Sequence, residues 1–211
     1  MEGRLAVGST WKLIEIERTR LAEALGGLTA QEWQKPSLVA GWDNHLTLAH
    51  VVGSAQVNFR TAIVGLVSHG FSFSKMVADL NQQTATVSSR ELVAKLRELS
   101  TARDRPPGPV AAQLLEVVVH GEDIVYSLGR KVEHDHVALI AAAEYAKNEQ
   151  TFVGVRKRIA GLRARATDFD WSTGAGPEVS GPMVALLLAI CGRKAALDEL
   201  TGDGVEILRS R

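Results

Sequence analysis

The chain has 211 residues, 45% of them hydrophobic and 23% charged, and equal numbers of basic and acidic side chains give it no formal net charge at pH 7. This composition is ordinary for a globular protein, and the neutral charge argues against nucleic acid or an anionic membrane as the main partner. The single cysteine, Cys191, excludes an intrachain disulfide and fits a reducing compartment such as the cytoplasm, and no apolar stretch is long enough to predict a membrane span.

Capping residues and apolar spacing predict helices along the first two thirds of the chain. The helix that Asp43 should cap carries His50 on its apolar face, whereas His45 is rotated away towards solvent or a neighbouring element. His134 and His136 flank a later helix start and are expected to be exposed. The predicted helices are Thr10–Leu25, a short turn through Trp33, a long helix after Asp43, one after Ser74, one from the capping box Ser88–Glu91, and one from Asp135 to about Glu149.

Residues 115–123, LEVVVHGED, carry the strongest chemical signal. Glu116, His120 and Asp123 interrupt a run that is otherwise apolar, and at about 100° per residue the three would share one stripe of a helix. A helix that is apolar on its other faces is normally buried, and a buried carboxylate is costly unless it is paired or binds a cation. This spacing is the first reason to expect a metal.

The valine run, Val117 to Val119, favours a strand instead, in which Asp123 would point away from Glu116 and His120. We favour a helix, because the apolar run extends to about 15 residues, too long for a typical strand. It also follows the proline cluster at residues 106–109, and proline is common in the first turn of a helix.

The pattern changes near residue 162. Alternation from Arg163 to Thr167 predicts a strand, and Glu178 to Ser180 is predicted as a short returning strand. Met183–Ile190 should be an apolar helix, Arg193–Leu200 looks helical, and Val205–Leu208 is predicted as a last strand.

The predicted fold class is therefore mainly α. We expect a four-helix bundle over residues 1–155 that carries the metal, and a small α/β subdomain over residues 156–211.

Facing helices of a bundle place their side chains in one interior space, where metal sites are built. His50 with Glu116 and His120 would give two imidazoles and one carboxylate, and three protein ligands with an open position are typical of a catalytic metal. Zinc suits this set, and nickel, cobalt or iron would also accept it. Asp123 could fix one of the imidazoles or act as a weak extra ligand. On spacing alone a second interpretation stays open, in which His50 is a hydrogen-bonded core residue and Glu116–His120 is an ordinary i,i+4 contact.

Three motifs, in order, resemble the mycothiol-dependent maleylpyruvate isomerases of the DinB-like superfamily. The second is EVVVHGEDI at residues 116–124, and the third is the tail from Trp171 through Cys191 to Val205, which is similar to short actinobacterial members. The departures at Leu38–Ala40 and Asp43–His45 touch none of the proposed ligands. The first motif is Leu28-Thr29, Trp33, Pro36-Ser37, Gly41-Trp42 and Ala49-His50.

The resemblance implies a DinB-like four-helix bundle whose divalent metal is held by His50, Glu116 and His120. It also implies mycothiol as thiol cosubstrate and a cytoplasmic, actinobacterial protein. A metal-stabilised thiolate would add to a small electrophile, and would leave again in an isomerase or stay on the product in an S-transferase. Arg193 is a candidate for pairing with a substrate carboxylate, with an ordinary ion pair as the alternative.

We therefore expect a small-molecule substrate and a low-molecular-weight thiol as partners, with no nucleic acid and no membrane. A homodimer is left open. The alternative function is a metal- or small-molecule-binding protein that keeps the bundle and its ligands without turnover.

Overall fold

The computed structural model describes residues 6–211, which divide into two compact units. The first unit ends at Ala138, and the second runs from Leu139 to Arg211. The boundary predicted after residue 155 falls inside the second unit.

The first unit is helical, and four of its helices form a bundle. Helices α1 and α3 each pack against both α6 and α7, which closes the bundle, and α5 packs against α3. The core consists of branched and aromatic side chains from these helices, among them Ile14, Leu48, Leu96, Leu114 and Ile124. The bounds are α1 (Val7–Leu25), α2 (Ala30–Trp33), α3 (Asn44–Gln56), α4 (Phe59–Ser68), α5 (Phe73–Thr84), α6 (Ser89–Glu98) and α7 (Val110–Val125), with single 3-10 turns at Leu99–Thr101 and Tyr126–Leu128.

The predicted caps of α2, α3 and α6 are confirmed, whereas α1 begins at Val7, before the predicted Thr10, and has no side-chain cap. Thr29 and Glu32 form a reciprocal capping box at α2, and Ser88 and Glu91 form another at α6. Asp43 Oδ1 accepts a hydrogen bond of 2.7 Å from the backbone N–H of Leu46 and so caps α3. These local bonds fix where α2, α3 and α6 begin.

The central stretch is helical, as predicted, and the strand interpretation of Val117–Val119 is wrong. Helix α7 begins directly after Pro109 and buries most of its residues, so the apolar run is long because it packs on both α1 and α3. Helix α4 has no counterpart among the predicted elements, although Asn58 and Thr61 form a capping box at its start.

The second unit contains a small sheet with helices. Strand β1 (Arg163–Ala166) lies between β2 (Ser172–Gly174), which is antiparallel to it, and β3 (Glu178–Gly181), which is parallel. The strand at Glu178 is confirmed, but it does not return antiparallel to β1. The helices are the C-terminal part of α8 (His136–Ala146), α9 (Val155–Arg158), α10 (Met183–Ile190) and α11 (Val205–Arg209), with a 3-10 segment at Lys194–Glu199.

The prediction of a last strand at Val205–Leu208 is wrong, because this segment forms α11. Val205 and Ile207 fit the period of a strand, whereas Val205 and Leu208 fit that of a helix, and these last two are the ones that are buried. The mainly α class with a small α/β C-terminal part is confirmed.

His134 is buried, not exposed as predicted. Its Nδ1 lies 2.6 Å from Glu17 Oε2 and its Nε2 lies 2.8 Å from Glu122 Oε1, so one imidazole ring links α1 to α7. Burial alone would lower the pKa of His134, but hydrogen bonds and charge from the two carboxylates raise it to about 9. The ring is therefore a charged clamp inside the first unit.

Among the described helices, none combines the length and the apolar character that crossing a membrane would require.

Candidate metal centre

His50 of α3 and the pair Glu116 and His120 of α7 meet inside the first unit. One ligand atom from each of the three residues lies within 4.8 Å of the other two. The two imidazole rings are 4.8 Å apart between centroids and nearly perpendicular, at 82°. The contact between α3 and α7 therefore brings together the three residues that the sequence singled out.

The Nδ1 atom of each imidazole lies within hydrogen-bond distance of an acceptor oxygen. His50 Nδ1 donates a hydrogen bond of 3.0 Å to Oδ1 of Asn81, on α5, and His120 Nδ1 lies 2.9 Å from Oδ2 of Asp123. Acceptors at Nδ1 keep the proton on that nitrogen, so the Nε2 lone pair of a neutral ring is left for a metal. Asp123 thus occupies the first of its two predicted positions, as the acceptor that orients an imidazole.

Glu116 supplies the observation that tests whether a cation fits. Its Oε1 is buried and has no hydrogen-bond partner among the described residues, although Nε2 of His50 lies only 2.9 Å away. With the proton of His50 on Nδ1, two lone-pair-bearing atoms face each other, an arrangement that needs a positive charge between them. Two imidazole nitrogens and one carboxylate oxygen are a donor set that a divalent transition metal accepts.

The pKa shifts of Glu116 and His50 also indicate that a positive charge is favoured between these two residues. Burial would raise the pKa of Glu116, but His50 and His120 bring it down to about 2, so the carboxylate is ionised. Burial also disfavours a charged His50, but the Glu116 carboxylate and the bond to Asn81 raise its pKa above the ordinary value. The site is built to hold a positive charge between these two residues, and a metal ion or a proton can supply it.

The cluster is mostly but not fully enclosed. The side chains of His50, Glu116 and His120 are 13–25% exposed, although Oε1 of Glu116 itself is buried. Trp42 covers one side, with its ring centroid 5.0 Å from that of His50 and 6.2 Å from that of His120. Three protein donors are one fewer than the four that close a structural zinc site.

Arg18 is a buried cation in the same bundle. Its guanidinium donates to the carbonyl oxygens of Leu99 and Ala102, each at 3.0 Å. Burial lowers the pKa of Arg18 to about 10, an effect that the charge of Glu116 partly offsets. The carboxylate of Glu116 therefore lies in the field of a buried positive charge.

A cavity of about 570 Å³ opens between α3, α4 and α5, within the size range of small-ligand sites. Gly53, one turn along α3 from His50, lies on its wall, and so does Leu80, the neighbour of Asn81. Arg60, His69 and Asp79 give the cavity polar groups. The cavity shares α3 with the cluster of His50, Glu116 and His120, and α5 supplies both Leu80 on the cavity wall and Asn81 beside His50.

Sequence reasoning missed Asn81 and Trp42 as members of the site. The only sequence signal for Asn81 was its spacing of four from Val77, which could place both on one face of a helix. The sequence did not show which face of that helix is buried. Trp42 is part of the first sequence motif, but nothing in that motif indicated that its ring lies beside the two imidazoles. His45 lies at 2.7 Å from Ser89 Oγ and 3.0 Å from the Ala85 carbonyl oxygen, so it contacts a neighbouring segment as expected.

Arg193 belongs to the second unit, where its Nη1 donates a hydrogen bond of 2.9 Å to the carbonyl oxygen of Cys191. Its predicted role towards a substrate carboxylate stays a prediction.

No protein-family model matches the chain, and no curated protein matches it in sequence. Two solved structures are similar to it in fold. They are crystal structures of a mycothiol-dependent maleylpyruvate isomerase and of its variant with one histidine replaced by alanine, each with a TM-score of 0.58, 15% sequence identity and coverage of 94% of this chain and 93% of the other. At this identity the likeness shows a shared fold over nearly the whole chain, and it fits the family resemblance of the sequence motifs.

Proposed function

We propose that this protein is a metal-dependent enzyme that uses a low-molecular-weight thiol, such as mycothiol, either to isomerise a small electrophilic substrate or to transfer the thiol sulfur onto it. The observation that carries the proposal is the convergence of His50, Glu116 and His120 on one point, where the buried Oε1 of Glu116 lies 2.9 Å from Nε2 of His50. The fold shared with a mycothiol-dependent isomerase supports the same conclusion. We expect zinc, with nickel, cobalt or iron as metals the same ligands accept.

Different residues of the chain would bind the ion, orient its ligands and cover the site. His50, Glu116 and His120 would hold the ion, while Asn81 and Asp123 keep the two imidazoles in the tautomer and orientation that binding needs. A divalent cation favours the thiolate form of a thiol near neutral pH. Trp42 shields one side of the cluster from water.

The reaction follows from the nucleophilicity of the thiolate. Its sulfur adds to one carbon of an activated double bond, which becomes a single bond and can rotate. In an isomerase the carbon–sulfur bond then breaks, the double bond re-forms in the other geometry, and the thiol is regenerated. In a transferase the carbon–sulfur bond persists and a proton adds to the neighbouring carbon. The cavity between α3, α4 and α5 is large enough for the body of either reactant.

The alternative is a protein that binds a metal or small molecule without turnover. The donor count favours the enzyme, because the described residues supply three donors here and a purely structural metal site is normally closed by a fourth protein ligand.

Metal analysis of the purified protein tests the site. His50→Ala and His120→Ala should each lose the bound metal, because each removes one of three ligands. His45→Ala is the matched control, since it removes an imidazole from the same helix that contacts Ser89 and Ala85 instead. Equal metal content in all three variants would remove the metal centre from the proposal.

Turnover is tested separately on the metal-loaded protein. A panel of activated alkenes, including cis-configured unsaturated dicarboxylates, is incubated with and without mycothiol and followed by absorbance and mass spectrometry. Thiol-dependent isomerisation or thioether formation that His120→Ala abolishes supports the enzyme. A metal-loaded protein that leaves every electrophile and the thiol unchanged supports the binding protein instead.

A further inference from the structure

Helix α4 has its apolar face turned outward. Ala62 is the one buried residue of the ten in this helix. We call the exposed set the α4 face, and its members are between 44% and 75% exposed: Phe59, Ile63, Val64, Val67 and Phe71. An amphipathic helix of a monomer normally does the reverse, with its apolar stripe against the core.

Phe71 strengthens the point. It is the most exposed of the five and has a left-handed backbone, with φ at 62°, a conformation unfavourable for any residue with a side chain. Its N–H bonds to the Leu66 carbonyl oxygen at 2.8 Å, so the end of α4 fixes this geometry. A strained backbone therefore holds an aromatic ring in solvent, where the ring contributes little buried surface to the folded monomer.

We propose that the α4 face is the interface of a homodimer, in which α4 packs antiparallel against α4 of a second copy about a twofold axis near Ile63. This interface does not depend on the proposed enzymatic function.

The spacing of the face makes it self-complementary. Phe59 and Val67 each lie four positions from Ile63, so an antiparallel partner sets Ile63 against its own copy and the large Phe59 against the smaller Val67. A twofold interface requires this pairing of each residue with its symmetry-related counterpart. Arg60, the one charged residue of α4, would then lie beside the last turn of the partner helix, where the negative end of the helix dipole favours a cation.

The area is sufficient for the core of such an interface. Two largely exposed phenylalanines and three branched aliphatic residues offer on the order of 500 Å² of apolar surface, against roughly 800 Å² buried per partner in an ordinary interface. Polar residues around the face can supply the rest as a rim. A lipid surface fits less well, because membrane-binding helices carry several basic residues on the polar face and α4 carries only Arg60.

The first test is the mass of the full chain in solution. Light scattering after size exclusion should give twice the 22.7 kDa of one chain at micromolar concentration. Ile63→Glu and Val67→Glu should each halve that mass while circular dichroism stays unchanged. Val137→Glu is the matched control, because Val137 is similarly exposed but lies on α8, and its mass should remain that of the dimer.

The second test fixes the geometry with a short bismaleimide crosslinker. Ile63→Cys should crosslink to itself, whereas Phe59→Cys should do so only when mixed with Val67→Cys. The native Cys191 is buried and provides the background of the wild-type chain. A monomeric wild type overturns the proposal, whether or not it also binds phosphatidylcholine vesicles. A dimer that survives both glutamate substitutions, or Phe59→Cys crosslinking to itself, also overturns it.

Discussion

Asn81 and His50 lie on different helices, yet Oδ1 of Asn81 is 3.0 Å from Nδ1 of His50. The bond passes from α5 to α3 and fixes which nitrogen of the imidazole faces Glu116. On the other side of the cluster, Asp123 acts on His120 from within the same helix. A neutral amide thus orients one histidine and a carboxylate orients the other.

Asn81→Leu should weaken metal binding by roughly 10-fold or more, because His50 then loses the acceptor that fixes its tautomer. Asn81→Asp keeps an acceptor oxygen and should restore most of the affinity. Affinity is measured by competition with a chromophoric zinc chelator. Gln82→Leu, an exposed neighbour on α5, is the control and should bind as the wild type does. Equal affinity of the Asn81→Leu variant and this control would show that the bond has no such role.

Trp42 should report the metal by its fluorescence. Its ring lies within 6.2 Å of both imidazoles, so cobalt or nickel bound there should quench its emission strongly. Titration of the metal-free protein is followed at the tryptophan maximum, and Trp42→Phe should abolish the metal-dependent part of the change. The same substitution at Trp33 should leave it intact. Quenching that persists without Trp42 would place the ion elsewhere.

Metal removal should lower thermal stability. A ligand that binds only the folded chain stabilises it by about 4 kcal/mol at a thousandfold excess over its Kd, which for a chain of this size corresponds to roughly 10 °C in Tm. Differential scanning calorimetry with excess zinc, and again with a chelator, measures the shift. His120→Ala should show no such difference between the two conditions, and a shift of the same size in that variant would point to a different binding site.

The clamp of Glu17, His134 and Glu122 should make stability depend on pH. Because the folded pKa of His134 is raised to about 9 from an ordinary 6.5, the charged ring stabilises the folded chain fully below about pH 6.5. That contribution is lost as the pH rises to 9, and it amounts to at most about 3 kcal/mol. Arg20, 3.2 Å from Glu17, adds a second positive charge at this cluster.

Urea unfolding from pH 6 to pH 9.5 checks this, with the wild type compared with His134→Gln. The wild type should lose stability more steeply across the window, since the glutamine cannot release a proton. Parallel curves for the two proteins would show that the ring is not the titrating group.

Much of the fold was predictable because its signals are local. A capping box needs only the residues from Thr29 to Glu32, and the helix of residues 110–125 follows from Pro109 and the length of an apolar run. The predictions that were wrong or missing concern segments that are short, or whose apolar spacing fits both a helix and a strand. Val205–Leu208 fits a strand or a helical turn equally, and α4 has an apolar face without a core to which it could be assigned.

The sequence by itself determined the pairing of Glu116 with His120, because four positions along one helix place two side chains on the same face. It also identified His50 as a histidine on an apolar face. Only the tertiary structure decided that α3 meets α7 so that the three ligand atoms come within 4.8 Å, that Asn81 and Trp42 join them, and that His134 is buried between two carboxylates. Contacts between helices depend on which faces pack together, and periodicity along a single helix carries no information about its partner.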